Sequence, residues 1–235
     1  MPRSTITLIG FDADDTLWQN EYYFRHAQER FSQLLAEHAD PEKISANLMD
    51  AEIRNLEIYG FGIKGFTLSM IETAVEVTEG RVPGEIIREI LAAGRELLAH
   101  PVDILPEVQE TLEQLAADRK IILITKGDLL DQERKIAQSG LGEKFDSIEI
   151  VSQKTVATYR RIFTSHEQDA TNCVMVGNSL KSDVLPAIEA GAWGIHTPHD
   201  LQWSAEHAEI PAGIQRLHVA ETFSHVARII EAIED

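Results

Sequence analysis

The sequence predicts an α/β fold: a Rossmann-like parallel sheet with helices on both faces, plus an inserted all-helical region. Three observations carry this. Short apolar, β-branched runs alternate with amphipathic helical patterns through the second half of the chain. One further strand stands alone near the start. Between the two, from about residue 20 to residue 98, the pattern is helical throughout. Alternating strands and helices imply right-handed βαβ units and a parallel sheet covered on both faces.

Taken in order, Ile6–Phe11 is short, β-branched and ends in an acidic turn, so it reads as a buried strand. Asn20–Ala39 places Tyr23, Ala27, Phe31, Leu34 and Leu35 on one helical face, and Pro41 stops it. Glu42–Ile58, Phe66–Thr78 and Pro83–Leu98 are three more helices, the last with Pro83 near its first turn. Pro106–Ala117 is a helix and Ile121–Thr125 a strand. Asp128–Ser139 is a helix with Gly140 as its C-cap. Asp146–Val151, Asn172–Gly177, Ala192–His196 and Leu217–Val219 are strands, alternating with helices Thr155–Phe163, Lys181–Ala190 and Glu221–Ile233. His207–Gly213 reads as a plain loop. The expected domains are therefore an α/β core of residues 1–18 and 100–235 and a helical insert of residues 19–99.

Composition narrows the function. The chain has 235 residues, with 21 Lys and Arg against 39 Asp and Glu, for a formal charge of −18. Such a chain opposes a polyanion at long range, so neither nucleic acid nor an anionic membrane surface is an expected partner. A small anion is still open to it, because a local cation or helix N-terminus overrides the global field. Cys173 is the single cysteine and cannot form an internal disulfide, which fits a reducing compartment. Asp12 interrupts the first apolar run too early for a secretory signal, and no run nears the ~20 apolar residues that span a bilayer. The expected location is the cytoplasm.

Ligands of open α/β sheets bind beyond the carboxyl ends of the strands. After the first strand come Asp12, Asp14, Asp15 and Thr16. After the next comes Thr125-Lys126-Gly127, then Lys154, then Gly177-Asn178-Ser179 with Asp183 further on. Carboxylates, a hydroxyl, an ammonium and an amide gather at one edge, more than solvent-facing strand ends alone account for.

Asp12-Ala13-Asp14-Asp15-Thr16-Leu17 resembles the first motif of the haloacid dehalogenase (HAD) superfamily, in the Asp-x-Asp-x-Thr form of its phosphatases. Thr125, Lys154 and the Gly177–Asp183 segment resemble the second, third and fourth motifs, in that order. The insert resembles the helical cap of class I members. The resemblance spans nearly the whole chain and implies a Mg²⁺-dependent phosphatase that hydrolyses a small phosphate monoester, the substrate being a small phosphorylated metabolite. Asp12 would be the nucleophile, forming an aspartyl-phosphate. The Asp14 side chain would protonate the leaving alkoxide and then deprotonate water. Asp12, the Asp14 backbone carbonyl, Asn178 and Asp183 would hold Mg²⁺. Thr125 and nearby backbone N–H groups, Gly127 included, would bind phosphoryl oxygens, and Lys154 would balance charge. Asp15 and Thr16 are read as shaping the motif loop.

The sequence departs from the family pattern at three positions. Asn178 stands where many members carry a metal-binding aspartate, so that Asp183 is the alternative direct ligand. Lys126 replaces a small polar residue, and is either another phosphate contact or paired to an acid. Thr155 replaces the proline that usually follows the lysine; Lys144 and Lys181 are the alternatives to Lys154. A haloacid dehalogenase uses the same aspartate on carbon without metal, and Asp14 argues against it because a halide needs no proton. A phosphomutase and a non-catalytic binding protein are the other readings. The oligomeric state is left open.

Gly60-Phe61-Gly62-Ile63-Lys64-Gly65 matches G-x-G-x-x-G, but a helical pattern precedes it where a dinucleotide site needs a strand. It reads as a flexible turn between cap helices, from which Lys64 contacts a polar or anionic leaving group or is simply solvated. His196, His199 and His207 lack zinc-site spacing. Trp18 reads as lining or packing at the core–cap junction, and Cys173 as core.

Overall fold

The computed structural model describes residues 5–235, which divide into two compact units. The first comprises residues 5–19, 102–126 and 132–235; the second comprises residues 20–101 and 127–131.

The first unit is a six-stranded parallel sheet in the order β3-β2-β1-β4-β5-β6. Its strands are β1 (Leu8–Phe11), β2 (Lys120–Lys126), β3 (Ser147–Val151), β4 (Cys173–Gly177), β5 (Trp193–His196) and β6 (Leu217–Val219). The α/β prediction thus holds. Successive side chains point to opposite faces of a strand, so each central strand feeds two cores. Ile9, Phe11, Ile121, Leu123, Val174 and Val176 enter one. Leu8, Ile122, Ile124, Cys173 and Met175 enter the other, against Tyr159, Ile162 and Phe163. Helices α5 (Val108–Leu115) and α9 (His225–Glu234) supply the first face through Val108, Leu112, Val226 and Ile230. Helix α7 (Val156–Ser165) supplies the second. Both faces are covered, which is why the strands read as continuous apolar runs rather than alternating ones. Gly10 answers a packing need: a β-carbon there would lie 2.8 Å from Ile124 Cδ1 and 3.1 Å from Met175 Sδ.

In the second unit, α1 (Glu21–Leu34), α2 (Pro41–Tyr59), α3 (Ile63–Val77) and α4 (Gly84–Ala99) bury their own core. Phe31, Leu35, Ile44, Leu48, Phe66, Met70, Ile90 and Leu97 form it. Among the described residues, no helix is long and apolar enough to cross a membrane.

Four element expectations change. Helix α1 ends at Leu34 rather than Ala39, and Pro41 is the first residue of α2 rather than the stop of α1. Helix α3 begins at Ile63 rather than Phe66, so the predicted glycine turn shrinks to residues 60–62, and Lys64 lies in the first helical turn. Gly60 and Gly62 have φ of 73° and 126°, values that suit glycine, and they end one helix and start the next. The predicted helix Lys181–Ala190 is a π-helical turn, Leu180–Val184, followed by the short helix α8 (Leu185–Glu189). The last helix begins at His225 rather than Glu221. Helix α6 (Leu129–Ser139) ends as predicted at Gly140, whose φ is 67°.

Cys173 is fully buried in β4, and burial, with Asp169 nearby, pushes its thiol up to about 12. Only the thiolate reacts readily. Iodoacetamide at pH 8 should therefore modify the native chain at least ~100-fold more slowly than the urea-unfolded chain. Equal rates in the two states would contradict the buried placement.

Candidate active site

The site begins with β1. Asp12 follows its last residue and donates its backbone N–H to the Val176 carbonyl at 2.9 Å, which continues the pairing with β4. The chain then turns back at once. Asp15 adopts a left-handed φ of 60° and donates to the Trp18 carbonyl at 2.7 Å, while Leu17 donates to Ala13 at 2.8 Å. An aspartate tolerates this conformation better than most residues, so Asp15 shapes the loop. Its carboxylate lies 3.9 Å from His199 Nε2.

Asp12 is 6% exposed, and both its oxygens are engaged. Oδ1 pairs with Lys154 Nζ, and Oδ2 accepts from Thr16 Oγ1 at 3.0 Å. Lys154 also donates to Asp183 Oδ1 at 2.7 Å. One buried ammonium therefore spans two buried carboxylates. Burial and the Asp183 charge push the Asp12 carboxyl above its usual range, against the pull of Lys154. Burial opposes the charge of Lys154, but Asp12 and Asp183 overcome it and hold the ammonium protonated. Lys144 and Lys181 lie elsewhere: Lys144 pairs with Glu113 at 2.6 Å and Lys181 donates to the Ala205 carbonyl at 2.7 Å.

Asp183 arrives from the π-helical turn. Its Oδ2 accepts from Ser179 N at 2.9 Å, and its own N–H donates to the Ser179 carbonyl at 2.9 Å. Such turns insert one extra residue into a helix and often occur at functional sites. Gly177 makes room. A β-carbon there would overlap the Asp183 carboxyl group and lie 2.6 Å from its Cβ. Asn178 sits beside the first motif: its N–H donates to Thr16 Oγ1 at 3.0 Å, and its Oδ1 lies 3.3 Å from the same hydroxyl. That hydroxyl has one hydrogen. The nearer, charged Asp12 oxygen is the stronger acceptor, which leaves the Asn178 amide oxygen able to take another partner.

The Asp14 carboxylate receives four hydrogen bonds. Lys135 Nζ lies 2.6 and 2.7 Å from its two oxygens, Gln132 Nε2 donates at 2.9 Å, and Trp18 Nε1 donates at 2.7 Å. Burial alone would raise this carboxyl; Lys135, Gln132 and Trp18 hold it below its usual range. Lys135 and Gln132 belong to none of the sequence motifs. They lie three residues apart on the inner face of α6, which buries Asp131, Gln132, Lys135 and Ser139 beside a single buried apolar side chain, Ile136. A buried helical face this polar was the available signal. Trp18 is 1% exposed and thus packs, but its indole also binds Asp14.

Thr125 is buried at the end of β2, in register with Ile150 of β3. Lys126, beside it, pairs with Glu206 at 2.5 Å and Ser182 Oγ at 2.7 Å. Lys64 and Gly127 belong to the second unit, where Lys64 pairs with Asp128 at 2.8 Å. The structure thus brings together Asp12, Asp14, Lys154, Asn178 and Asp183, and gives Lys126 and Lys64 acidic partners.

These residues suit a hard divalent cation. No three His, Cys, Asp or Glu side chains among the described residues gather into a preformed metal cluster. Asp12 and Asp183 share Lys154, while Asp14 pairs with Lys135 and Glu206 with Lys126, so these contacts set four carboxylates against three ammonium groups. Burial and the neighbouring Asp183 charge both disfavour the ionised Asp12 carboxyl, a cost that a cation would offset, and the ligand atoms at hand are carboxylate, amide and carbonyl oxygens.

Two substitutions probe this geometry. Gly177→Ala must displace the Asp183 carboxyl and should lower turnover at least about tenfold. Lys135→Met leaves Asp14 without its cation and should cost about 2 kcal/mol in urea unfolding. Wild-type activity in the first, or wild-type stability in the second, would contradict the placements given.

The family model of haloacid dehalogenase-like hydrolases matches residues 6–191. A haloacid dehalogenase-like family hydrolase from Xanthomonas campestris is 41% identical, with 99% of this chain and 96% of that chain covered and a TM-score of 0.88. Two more distant structures share the fold. A predicted phosphoglycolate phosphatase from Haemophilus somnus is 15% identical (95% and 97% covered, TM-score 0.62). An L-2-haloacid dehalogenase from Xanthobacter autotrophicus is 16% identical (97% and 99% covered, TM-score 0.68). No curated protein matches the chain. The motif order, the parallel sheet and these likenesses agree, and the chain belongs to the haloacid dehalogenase-like hydrolase family.

Proposed function

We propose that this hydrolase cleaves a small phosphate monoester through an aspartyl-phosphate on Asp12. The observation that carries the reading is the Asp14 carboxylate, two residues beyond the nucleophile and held by Lys135, Gln132 and Trp18. A proton-handling group has work to do when an alkoxide leaves and none when a halide leaves.

In the first step Asp12 attacks phosphorus, and the bond from phosphorus to the leaving oxygen breaks. The departing alkoxide takes a proton from Asp14. In the second, water attacks phosphorus, gives its proton to Asp14, and returns Asp12 as a carboxylate with release of phosphate. Lys154 offsets charge on Asp12 throughout, and Thr125 offers a hydrogen bond to a phosphoryl oxygen. Lys135 affects the two steps oppositely. It favours the ionised Asp14 that the water step needs and opposes the neutral Asp14 that the first step needs. Mg²⁺, held by Asp12, the Asp14 carbonyl, Asn178 and Asp183, would supply electrostatic screening between two anions. Lys126 and Lys64, each with an acidic partner, are assigned no direct phosphate contact in the resting state.

Haloacid dehalogenation is the second reading. One observation favours it: Lys154 already gives Asp12 a counter-charge from the chain itself. The test is a panel of phosphorylated metabolites and p-nitrophenyl phosphate with Mg²⁺ or with EDTA, beside chloride release from 2-chloropropionate. Phosphate release that requires Mg²⁺ is expected, and Asp12→Asn should lower it at least ~1000-fold. Metal-independent chloride release without phosphate release would overturn the reading.

Asn178 allows a finer test. Replacing its amide by a carboxylate adds a negative charge where a divalent ion would bind. Asn178→Asp should lower the Mg²⁺ concentration for half-maximal activity roughly tenfold, equivalent to ~1.4 kcal/mol. Unchanged metal dependence would remove Asn178 from the ligand set.

A further inference from the structure

Glu206 lies beyond the sheet, in a short 3-10 turn, Ser204–Glu206, that precedes the loop His207–Gly213. Nothing in the motif pattern points to it. Its side chain is only 14% exposed, and both oxygens are fully used. Oε1 receives Lys126 Nζ at 2.5 Å; Oε2 receives Ser179 Oγ at 2.7 Å and Ser182 Oγ at 2.5 Å. Lys126 also donates to Ser182 Oγ at 2.7 Å. The turn carrying Glu206 is itself held, since Lys181 donates to the Ala205 carbonyl at 2.7 Å and Gln202 to the Glu206 carbonyl at 3.3 Å.

The partners are informative. Lys126 immediately follows Thr125 at the end of β2. Ser179 caps the π-helical turn, Ser182 lies within it, and Asp183 follows Ser182 directly. Strands β2 and β4 are not neighbours; β1, whose end leads into Asp12, lies between them. Glu206 therefore ties together, across β1, the two segments that flank the nucleophile. A buried carboxylate with one ammonium and two hydroxyls around it is a directed junction, because removing it takes a carboxylate from Lys126 and the shared acceptor from both hydroxyls.

We propose that Glu206 is a positioning residue. It holds the π-helical turn, and with it Asp183, in register with the end of β2, and it keeps the Lys126 ammonium out of the phosphoryl site. The inference rests on the phosphatase reading for its kinetic consequence only; the tie itself is a property of the fold.

The test compares wild type, Glu206→Ala, Glu206→Gln and the double variant Glu206→Gln/Lys126→Met. The readouts are hydrogen–deuterium exchange by mass spectrometry and hydrolysis of p-nitrophenyl phosphate with Mg²⁺. In Glu206→Ala, exchange in peptides spanning residues 178–185 should rise at least about tenfold while peptides of α5 and α9 stay unchanged. Turnover should fall at least about tenfold with KM within about threefold of wild type, because an Asp183 that wanders affects chemistry more than binding. Glu206→Gln keeps the shape but removes the carboxylate charge that faces Lys126, so the double variant, which removes the ammonium as well, should recover both exchange protection and turnover relative to Glu206→Gln alone. Unchanged exchange over residues 178–185 in Glu206→Ala overturns the tie. Raised exchange with unchanged turnover overturns the positioning role. A uniform rise across the sheet shows general destabilisation and overturns it also. If wild type hydrolyses no phosphate monoester, the function reading fails by itself, and the exchange measurements still decide the tie.

Discussion

One buried ammonium organises this protein's site. Lys154 is 6% exposed and contacts both Asp12 and Asp183, carboxylates that belong to opposite ends of the sequence. Removing one partner from such a cluster leaves an uncompensated charge in a low-dielectric setting, which is far more costly than never having buried it. The three side chains are therefore placed as a unit or not at all. The charge does not balance within the unit, since two acids share one base. Burial and that residual repulsion together raise the Asp12 carboxyl.

The backbone meets this constraint with local devices. Parallel strands β1 and β4 bring Asp12 and Gly177 to adjacent strand ends. A glycine at 177 leaves the space that the Asp183 carboxyl fills, and the π-helical turn carries Asp183 back over the strand it has just left. Asp15 reverses the chain with a left-handed residue, which returns Thr16 to Asp12 and Trp18 to Asp14. Around this sit two further clusters of the same design, Asp14 with Lys135 and Glu206 with Lys126. Each of these buried acids contacts a lysine, though Asp12 and Asp183 share theirs, so the α/β unit tolerates several buried charges within one edge.

Sequence alone revealed the sheet, because two-sided burial writes itself as unbroken apolar runs, and it revealed the edge residues, because ligands gather at strand ends. The family resemblance added roles for Asp12, Lys154 and Asp183, and the structure places those three in contact. What escaped was non-local. Lys135 reaches Asp14 across 121 positions and Glu206 reaches Lys126 across 80, and no periodicity connects such pairs. The π-helical turn escaped for a different reason. A helix with one extra residue has nearly the pattern of an ordinary helix, and the Lys181–Ala190 run shows no break where the geometry changes. Helix α3 begins three residues before its sequence pattern suggests, because Gly62 and Gly65 both argue for a loop, whereas of these two Gly62 alone adopts a positive φ.

The central claim is that Asp12, tuned by Lys154 and Asp183, carries the phosphoryl group between the two steps. Rapid quenching of turnover on p-nitrophenyl phosphate with sodium borohydride reads this directly, because borohydride reduces an acyl phosphate to an alcohol and leaves a free carboxylate untouched. Peptide mass spectrometry should find the reduced residue, homoserine, at position 12 when substrate is present and nowhere when it is absent. Phosphate release with an unreduced Asp12, or reduction at Asp14 or Asp183 in its place, would contradict the account.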